Sequence, residues 1–390
     1  MIIGMYMKFV AKTLYGLEKV LADELEALGA AGINPVNRAV IFSGSKELLY
    51  KVNYCARTAL SVLMPVADFR IRTKDDLYKA ARKVEWERFL DCDYTFSVVP
   101  VVNSVIFGHS GFAGLVVKDA IADYFRNKTG RRPSVNTQDP RIVVNLHISN
   151  ENVTVSLDSS GEPLFKRGYR QEQGTAPLNE VLAAGLLLLS GWNEETSLTD
   201  PMCGSGTIPV EAGLISCRIP PGKFRNIYGF MKWKDYDEEL FNRIKQSFNR
   251  NSKSLPGRIS GSDISETAIA RASANVTKAG LADVVSLKVA DFKDIKSTDD
   301  HGYVCINPPY GQRMKPDDLD ELYKMIGTVL KRNFTGNTAL ILTSFREAVK
   351  NIGLKPAAKH ILFNGALECT LLRYEIFEGT RKSWKSLKST

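Results

Sequence analysis

The sequence has 390 residues, of which 44% are hydrophobic and 24% are charged, and this composition excludes a disordered or fibrous protein and allows two or three domains. The formal net charge of +9 is compatible with a polyanionic partner but does not require one. The six cysteines and four histidines are scattered and form no Cys-x-x-Cys pair, so we expect reduced thiols, a cytoplasmic protein and no metal site.

The first predicted unit, residues 1–65, alternates strands and helices. A short strand at 8–11 precedes a helix whose apolar residues recur at helical spacing, and Gly29 is a suitable residue to end that helix. A second strand is predicted at 38–42 and a second helix at 47–55. This order and length predict a small α+β domain.

The second predicted unit, residues 66–165, follows the same pattern. A strand is predicted at 94–102, and a helix from Ser110, as its N-cap, to Lys128, with Gly130 after its end. Two alternating segments between residues 144 and 157 then predict a β-hairpin.

The end of this long helix is rich in cations. The cluster consists of Arg126, Lys128, Arg131 and Arg132. Cations complement the negative end of a helix dipole, so a solvated helix end explains the cluster as well as phosphate binding does. Both interpretations stay open at this point. A further basic group, which includes Arg167 and Arg170, lies at the start of the third unit.

The third unit, residues 166–390, alternates strands and helices as a doubly wound α/β sheet does. A helix is predicted to begin near Pro177, and it contains the longest apolar run of the chain, 181–189. That run is too short to span a bilayer, so we expect no membrane partner.

A glycine turn follows the next predicted strand. The run Asp-Pro-Met-Cys-Gly-Ser-Gly-Thr begins at Asp200, and its Gly204 and Gly206 allow a ligand to approach the main chain at the start of a helix. The turn lacks the lysine of a phosphate-binding loop and the glycine spacing of a dinucleotide-binding loop. It suits a small zwitterion better, with Asp200 near the positive pole.

Two more acids are placed at predicted strand ends, where an open α/β sheet holds its ligand. Asp263 can accept both hydroxyls of a ribose, and Asp291 can bind an adenine amine while the ring rests on Phe292. Each acid by itself would more often cap a helix. The glycine turn and both acids, each after its own strand, favour a nucleoside-containing ligand.

A fourth strand runs into the sequence Asn307-Pro308-Pro309-Tyr310. The two prolines stiffen the loop. The Asn307 side chain and the Pro308 carbonyl offer two hydrogen-bond acceptors, and Tyr310 adds an aromatic face. A planar base with an exocyclic amine fits this set, because the amine donates to both acceptors while the ring stacks. Such hydrogen bonds localise the lone pair of the nitrogen for attack on an electrophilic methyl group.

Residues 218–257 interrupt the alternation of strands and helices. Basic and aromatic residues are mixed in this segment, among them Arg225, Tyr228, Trp233 and Lys234. RNA binding and a surface helical insertion are equally good interpretations of it.

These motifs resemble the class I S-adenosylmethionine-dependent methyltransferases. More narrowly, the chain resembles the THUMP-containing RNA guanine-N2 methyltransferases, and most of all those that modify bacterial 23S ribosomal RNA. The resemblance covers nearly the whole chain, and its carriers include Arg167-Gly-Tyr-Arg170, the Asp200 run, Gly261-Ser-Asp263 and Asn307-Pro-Pro-Tyr-Gly-Gln-Arg313. It implies a Rossmann-like methyltransferase domain (166–390) preceded by a ferredoxin-like domain (1–65) and a THUMP RNA-binding domain (66–165).

The resemblance also implies roles for individual residues. The expected catalytic residues are Asn307, Pro308 and Tyr310. The residues expected to bind S-adenosylmethionine are Pro177, Asp200, Gly204, Gly206, Thr207, Asp263, Ile264, Asp291, Phe292 and Asn307. The residues expected to bind RNA are Arg126, Lys128, Arg131, Arg132, Arg167, Arg170 and Arg313.

Two other functions are compatible with parts of this sequence. An adenine-N6 DNA methyltransferase shares Asn-Pro-Pro-Tyr, because adenine presents an exocyclic amine to the same acceptors; the THUMP-like segment favours RNA. A non-catalytic RNA-binding or ribosome-assembly protein could keep the fold, but the complete set of acids, glycines and Asn307 argues against it.

Overall fold

The structure is a computed structural model that describes residues 6–171, 178–250, 258–297, 299–309 and 316–378. Within these ranges the chain forms two compact units. The first contains residues 6–13, Ala22–Leu164 and Arg225–Gln246, and the second contains Leu14–Leu21, Phe165–Phe224 and the described residues after Gln246. No helix in the described ranges is long and apolar enough to cross a membrane.

Strands and helices alternate along most of the chain. The strands are β1 (Met7–Lys12), β2 (Ala31–Val36), β3 (Ala39–Gly44), β4 (Ser61–Arg70), β5 (Thr95–Asn103), β6 (Ser134–Val135), β7 (Ile142–Ser149), β8 (Asn152–Asp158), β9 (Leu198–Asp200), β10 (Ile259–Asp263), β11 (Val285–Val289), β12 (Tyr303–Ile306), β13 (Thr338–Thr343), β14 (Ala358–Asn364) and β15 (Leu367–Glu375). The α-helices are α1 (Glu18–Ala27), α2 (Lys46–Cys55), α3 (Lys74–Arg82), α4 (Ser110–Thr129), α5 (Glu180–Ser190), α6 (Thr207–Ser216), α7 (Glu238–Arg250), α8 (Glu266–Lys278) and α9 (Pro316–Asn333). Short 3₁₀ helices span Trp86–Arg88, Pro221–Phe224, Gly229–Lys232, Phe292–Asp294 and Ala348–Ile352.

One eight-stranded sheet runs through the first unit, in the order β2-β3-β1-β4-β8-β7-β5-β6. The expected boundary at residue 65 lies inside β4, whose residues pair with β1 on one side and β8 on the other. The two N-terminal segments that the sequence suggested as separate domains therefore share this sheet.

The long helix of the first unit is close to its predicted position. It begins at Ser110, but the N-cap is His109, whose ring Nδ1 accepts a hydrogen bond of 3.1 Å from the backbone N–H of Gly111. The prediction that Ser110 caps the helix was wrong by one residue. Gly130 ends the helix with a left-handed φ of 72°, as expected of a C-terminal glycine.

Residues 225–246, inside the predicted insertion, complete the core of the first unit. Phe230 is fully buried, with its ring centroid 4.3 Å from that of Tyr50 and 5.2 Å from that of Tyr228, both in stacked geometry. Phe241, on α7, meets Phe230 edge-on at 5.1 Å. The aromatic residues of this segment are therefore used for packing, although the sequence was equally compatible with RNA binding.

Two basic residues of the same segment have intramolecular partners. Arg225 donates a hydrogen bond of 2.9 Å to the carbonyl of Pro163, and Lys234 forms an ion pair of 3.0 Å with Asp91. These contacts join positions far apart in sequence, and they explain why the segment belongs to the first unit.

The second unit contains a seven-stranded sheet with the order β11-β10-β9-β12-β13-β15-β14. The strands from β9 to β13 pair in parallel, and β15 runs antiparallel to both of its neighbours. The strand order changes direction between β9 and β12. This is a doubly wound sheet with one reversed strand, as the α/β prediction required.

Candidate functional site

A cavity of about 560 Å³ opens at the carboxyl edge of this second sheet. Its wall includes residues at the ends of the four strands on either side of the change in direction, which is where open α/β sheets bind ligands. These residues are Asp200 after β9, Asp263 after β10, Asp291 after β11 and Asn307 after β12. Thr207, at the start of α6, also lies on the wall.

The two glycines of the turn have different surroundings. Both have positive φ, 53° at Gly204 and 79° at Gly206. Gly204 lies on the cavity wall, and a Cβ built there would meet nothing within 4 Å. A Cβ at Gly206 would lie 3.0 Å from the Cβ of Ala272 on α8, and the Gly206 N–H is bonded to the Cys203 carbonyl. Gly206 is thus required for helix packing, and the ligand approach expected at both glycines is open at Gly204.

Two carboxyl groups stand beside the turn. Asp200 is 1% exposed, and its Oδ1 accepts a hydrogen bond of 3.2 Å from the Met202 N–H. Burial, assisted by the neighbouring charge of Asp263, raises the pKa of Asp200 to about 8. Asp263 accepts from the N–H of Gly204 at 3.0 Å and from that of Ser265 at 2.9 Å, one bond to each oxygen. Asp263 therefore fixes the turn and still has lone pairs free for a ligand hydroxyl.

The wall after β10 and β11 is more apolar. Ile264 is 73% exposed and contributes its side chain to the cavity. Phe292 is 3% exposed and packs against Phe334 in the core, although part of it reaches the wall. Asp291 accepts a hydrogen bond of 3.0 Å from the Lys293 N–H and so caps the short helix that follows. The cap and the predicted ligand contact are compatible, because a carboxylate has further acceptor positions.

Asn307 has a feature that the sequence cannot reveal. Its Oδ1 is buried and has no hydrogen-bond partner within the described part of the chain. Pro308 is buried, whereas Pro309 is exposed and lies on the cavity wall. Three residues of the predicted site lie outside the described residues: Pro177, Tyr310 and Arg313.

The two arginines that precede α5 do not form an exposed basic surface. Arg167 is 2% exposed, and its Nε lies 3.4 Å from the fully buried carboxylate of Glu211. The RNA-binding role predicted for Arg167 is contradicted by this burial. Arg170 is 12% exposed and forms an ion pair of 2.8 Å with Glu180 as well as a hydrogen bond of 3.1 Å to Ser205.

The basic cluster of the first unit is exposed but mostly paired with acids. Arg126 bonds to Asp123 at 2.8 Å, Lys128 to Glu87, and Arg131 to Asp93 at 2.5 Å. Arg132 is exposed, and no ion pair joins it to any other residue that the structure describes. It lines an open cleft between α3 and α4. The cluster therefore carries less uncompensated charge than its sequence suggests.

Sequence reasoning missed part of the cavity wall. Leu322 and Met325 of α9 lie on it, as do Arg271 and Lys293. The apolar spacing of α9 predicts a buried face but does not show which residues of that face reach a cavity. No group of three or more potential metal ligands occurs among the described residues.

Three family models match consecutive parts of the chain. An RlmL ferredoxin-like domain matches residues 8–63, a THUMP domain matches 72–158, and an RMKL-like methyltransferase domain matches 167–373. The last match alone covers more than half of the sequence.

Individual proteins agree with these matches. A Synechocystis protein named provisionally as an RNA methyltransferase is 38% identical over 95% of this chain and 97% of its own length. Ribosomal RNA large subunit methyltransferase K/L of Syntrophotalea carbinolica is 38% identical over 95% of this chain, but the chain spans only 54% of that protein.

Two solved structures also superpose on nearly the whole chain. SMU.472, described as a methyltransferase complexed with SAH, has 29% identity and a TM-score of 0.87, over 96% of this chain and 99% of its own. A Listeria monocytogenes protein named as an N6-adenine-specific DNA methylase has 30% identity and a TM-score of 0.86, over 95% and 96%. The chain belongs to the RMKL-like methyltransferase family, with an RlmL ferredoxin-like domain and a THUMP domain ahead of its methyltransferase domain.

Proposed function

We propose that this protein is an S-adenosylmethionine-dependent RNA methyltransferase that modifies the exocyclic N2 amine of a guanine, with 23S ribosomal RNA as its substrate in the manner of methyltransferase L. The observation that carries this proposal is the buried Oδ1 of Asn307, which has no hydrogen-bond partner among the described residues. Asn307 lies on the wall of the cavity that also contains Asp200. Buried acceptors nearly always have a donor. An exocyclic amine of a substrate base supplies one.

The residues around the cavity fit the cofactor. Its volume is in the range of small-molecule sites, and the open side of Gly204 leaves room for a ligand against the main chain. Asp263 can accept from ribose hydroxyls, and Ile264 offers an exposed apolar side chain to the adenine. Asp200 lies on the same wall, where a carboxylate would stabilise the positive pole of the ligand. When bound, the cofactor supplies a methyl group already activated on a sulfonium sulfur.

Asn307 then determines the alignment of the acceptor amine. Its Oδ1 accepts one N–H of the amine, which localises the nitrogen lone pair and directs it at the methyl carbon. The new N–C bond forms as the C–S bond breaks, and the amine loses its extra proton to water. The stiff Pro308-Pro309 segment keeps the Asn307 backbone in place while this occurs.

Binding of S-adenosylmethionine is expected to release protons at neutral pH, because Asp200 changes from a neutral carboxyl to a carboxylate. The pKa of Asp200 in the free protein is about 8, and a cation beside it favours the ionised form. Cofactor affinity should therefore rise as the pH increases toward 8. Calorimetry in buffers with different ionisation enthalpies measures the number of protons released.

Asp200→Asn is the matched control for proton release, since it keeps the shape of the side chain but cannot ionise.

The same raised pKa has a consequence for the cofactor-free protein: its stability should fall as the pH rises from about 4, the pKa of an unfolded aspartate, to about 8. The folded state keeps a proton that the unfolded state has released. A wild-type stability curve parallel to that of Asp200→Asn would contradict a neutral Asp200.

The exposed cation Arg132 is expected to contribute to RNA affinity. Arg132→Ala should reduce the slope of log affinity against log salt by about 1, because one fewer counterion is released. Arg70→Ala removes the same charge from another exposed position of the first unit, where the side chain is paired with Glu151, and serves as the control. Fluorescence anisotropy over a salt series measures both slopes. Equal slopes for Arg132→Ala and the wild type would show that the cluster is a solvated helix end and does not bind RNA.

Methyl transfer from labelled cofactor to RNA and to DNA tests the proposed function. We expect label in guanine-containing RNA and N2-methylguanosine as the product nucleoside in mass spectrometry. Label in DNA with N6-methyladenine as the product would support the activity named for the Listeria protein. RNA binding without transfer to any ribosomal RNA or ribosomal particle would support a non-catalytic assembly role.

A further inference from the structure

Ser205, between the two glycines of the turn, is hydrogen-bonded by two side chains that do not line the cavity. Arg170 donates from one terminal nitrogen to Ser205 Oγ at 3.1 Å and from the other to Thr207 Oγ1 at 3.0 Å. Asn275 donates to the main-chain carbonyl of Ser205 at 2.9 Å. Ser205 is therefore fixed through both its side chain and its backbone, and it lies on the cavity wall.

These two side chains are themselves fixed. Asn275, on α8, is 2% exposed, and its Oδ1 accepts a hydrogen bond of 3.1 Å from the N–H of Gln171, the residue after Arg170. The Nε of Arg170 is bonded to Glu180 at 2.8 Å, which neutralises its charge. Hydrogen bonds thus form a closed circuit from Arg170 to Ser205, then to Asn275, and back through Gln171.

We propose that Arg170 and Asn275, which we call the Ser205 clamp, are positioning residues that preorganise the glycine turn for the cofactor; this inference rests on the proposed function. Ser205 lies between two glycines with left-handed φ, and glycine loses more conformational freedom on ordering than any other residue. If the turn is already ordered before binding, it loses less conformational entropy when the ligand binds. The clamp supplies this order from side chains that do not touch the ligand.

The contacts of Arg170 argue against its expected role in RNA binding. Each guanidinium nitrogen already donates within the protein, and one of them also reaches the carbonyl of Leu178 at 3.3 Å. A phosphate would have to displace Glu180 or Ser205 from a side chain that is 12% exposed. The arginine is used inside the unit to shape the cofactor turn.

The test requires variants that remove the clamp without leaving a buried charge. Arg170→Met paired with Glu180→Gln removes both members of the ion pair, because losing one partner alone would strand the other. Asn275→Ala removes the hydrogen bond to the main-chain carbonyl of Ser205. Arg218→Met paired with Glu194→Gln is the matched control, since it makes the same charge change in an ion pair of 2.8 Å elsewhere in the second unit.

Hydrogen exchange of the cofactor-free protein is the first measurement. We expect the Arg170 and Asn275 variants to lose protection at the amides of Gly204 and Gly206, which are bonded to Asp263 and Cys203, while α5 and α8 keep theirs. The control variant should match the wild type. Unchanged protection in both clamp variants would overturn the proposal whether or not the protein binds the cofactor.

Cofactor affinity is the second measurement. The dissociation constant for S-adenosylhomocysteine should rise on the order of 10- to 100-fold in the Arg170 variant, the loss typical of a hydrogen bond from a charged group, and by at most about 10-fold in Asn275→Ala, which loses a neutral hydrogen bond. Turnover at saturating cofactor and the salt dependence of RNA binding should stay at wild-type values. Arg170→Lys, which keeps the charge opposite Glu180, should recover stability but only part of the affinity.

The outcomes separate the clamp from the proposed function. A wild-type protein that binds no cofactor refutes the proposed function, and hydrogen exchange still decides whether the clamp orders the turn. A folded Arg170→Met/Glu180→Gln variant with wild-type cofactor affinity overturns the positioning role. A lower slope of log RNA affinity against log salt, with unchanged cofactor affinity, would show that Arg170 contacts RNA.

Discussion

Asn307→Ala is expected to slow single-turnover methyl transfer by on the order of 10²- to 10³-fold, the usual effect of losing one preorganised hydrogen bond to the reacting group. The affinity for the cofactor should be preserved, because the glycine turn and both carboxyl groups beside it remain. Rapid-quench kinetics with labelled cofactor and guanine-containing RNA measures the rate. Calorimetry measures the affinity.

Stability gives an independent check of the Asn307 assignment. The Asn307 Oδ1 is buried and has no partner in the part of the chain that the structure describes, and such an acceptor destabilises the free protein. Its removal should therefore leave the unfolding midpoint unchanged or raise it. Asn351→Ala is a suitable control, since that side-chain amide bonds to Asp320 at 2.6 Å and does not line the cavity. Near wild-type turnover for Asn307→Ala, or a marked loss of stability, would show that Asn307 is a structural residue.

Phe230→Ala is expected to lower the free energy of unfolding of the first unit by about 3–5 kcal/mol, the range for truncating a buried phenylalanine. The ring is fully buried and lies between Tyr50 and Tyr228, with Phe241 at its edge. Urea denaturation followed by tryptophan fluorescence and by circular dichroism measures the loss. Two units that unfold separately would give two transitions, of which only the first unit's should shift.

Ile227→Ala is the control for Phe230, because Ile227 is 64% exposed in the same segment. Its substitution should change stability by no more than about 0.5 kcal/mol. Both variants should bind RNA with wild-type affinity under conditions in which they are folded. Lower RNA affinity in Ile227→Ala, with little loss of stability in Phe230→Ala, would assign residues 225–246 to an RNA-binding surface.

Regular elements could be predicted from the sequence because their signals are local. The alternation in β7 and β8 and the glycine after α4 depend only on neighbouring residues. The place of residues 225–246 depends instead on contacts with distant residues such as Tyr50. A mixture of basic and aromatic side chains is compatible with RNA and with packing, and composition alone does not decide between them.

In the candidate site, too, some features could be predicted from the sequence and others depend on contacts between distant residues. The acids and the asparagine could be placed together because parallel strands bring their carboxyl ends to one edge of a sheet. The burial of the two arginines before α5 could not be predicted, because the sequence shows the charge of a side chain but not its partner. Glu211 and Glu180, which pair with them, lie on helices that no local pattern connects to those arginines.

The discontinuous first unit also has a consequence for synthesis on the ribosome. Its sheet is complete once β8 has been made, but the aromatic core requires Phe230 and Phe241, which follow the whole of residues 165–224 in the chain. A nascent chain that has just passed residue 165 therefore exposes the apolar surface of Tyr50 to solvent. Translation must continue past Gln246 before this unit can bury its core, so Phe165–Phe224 of the second unit emerges while the first unit is still incomplete.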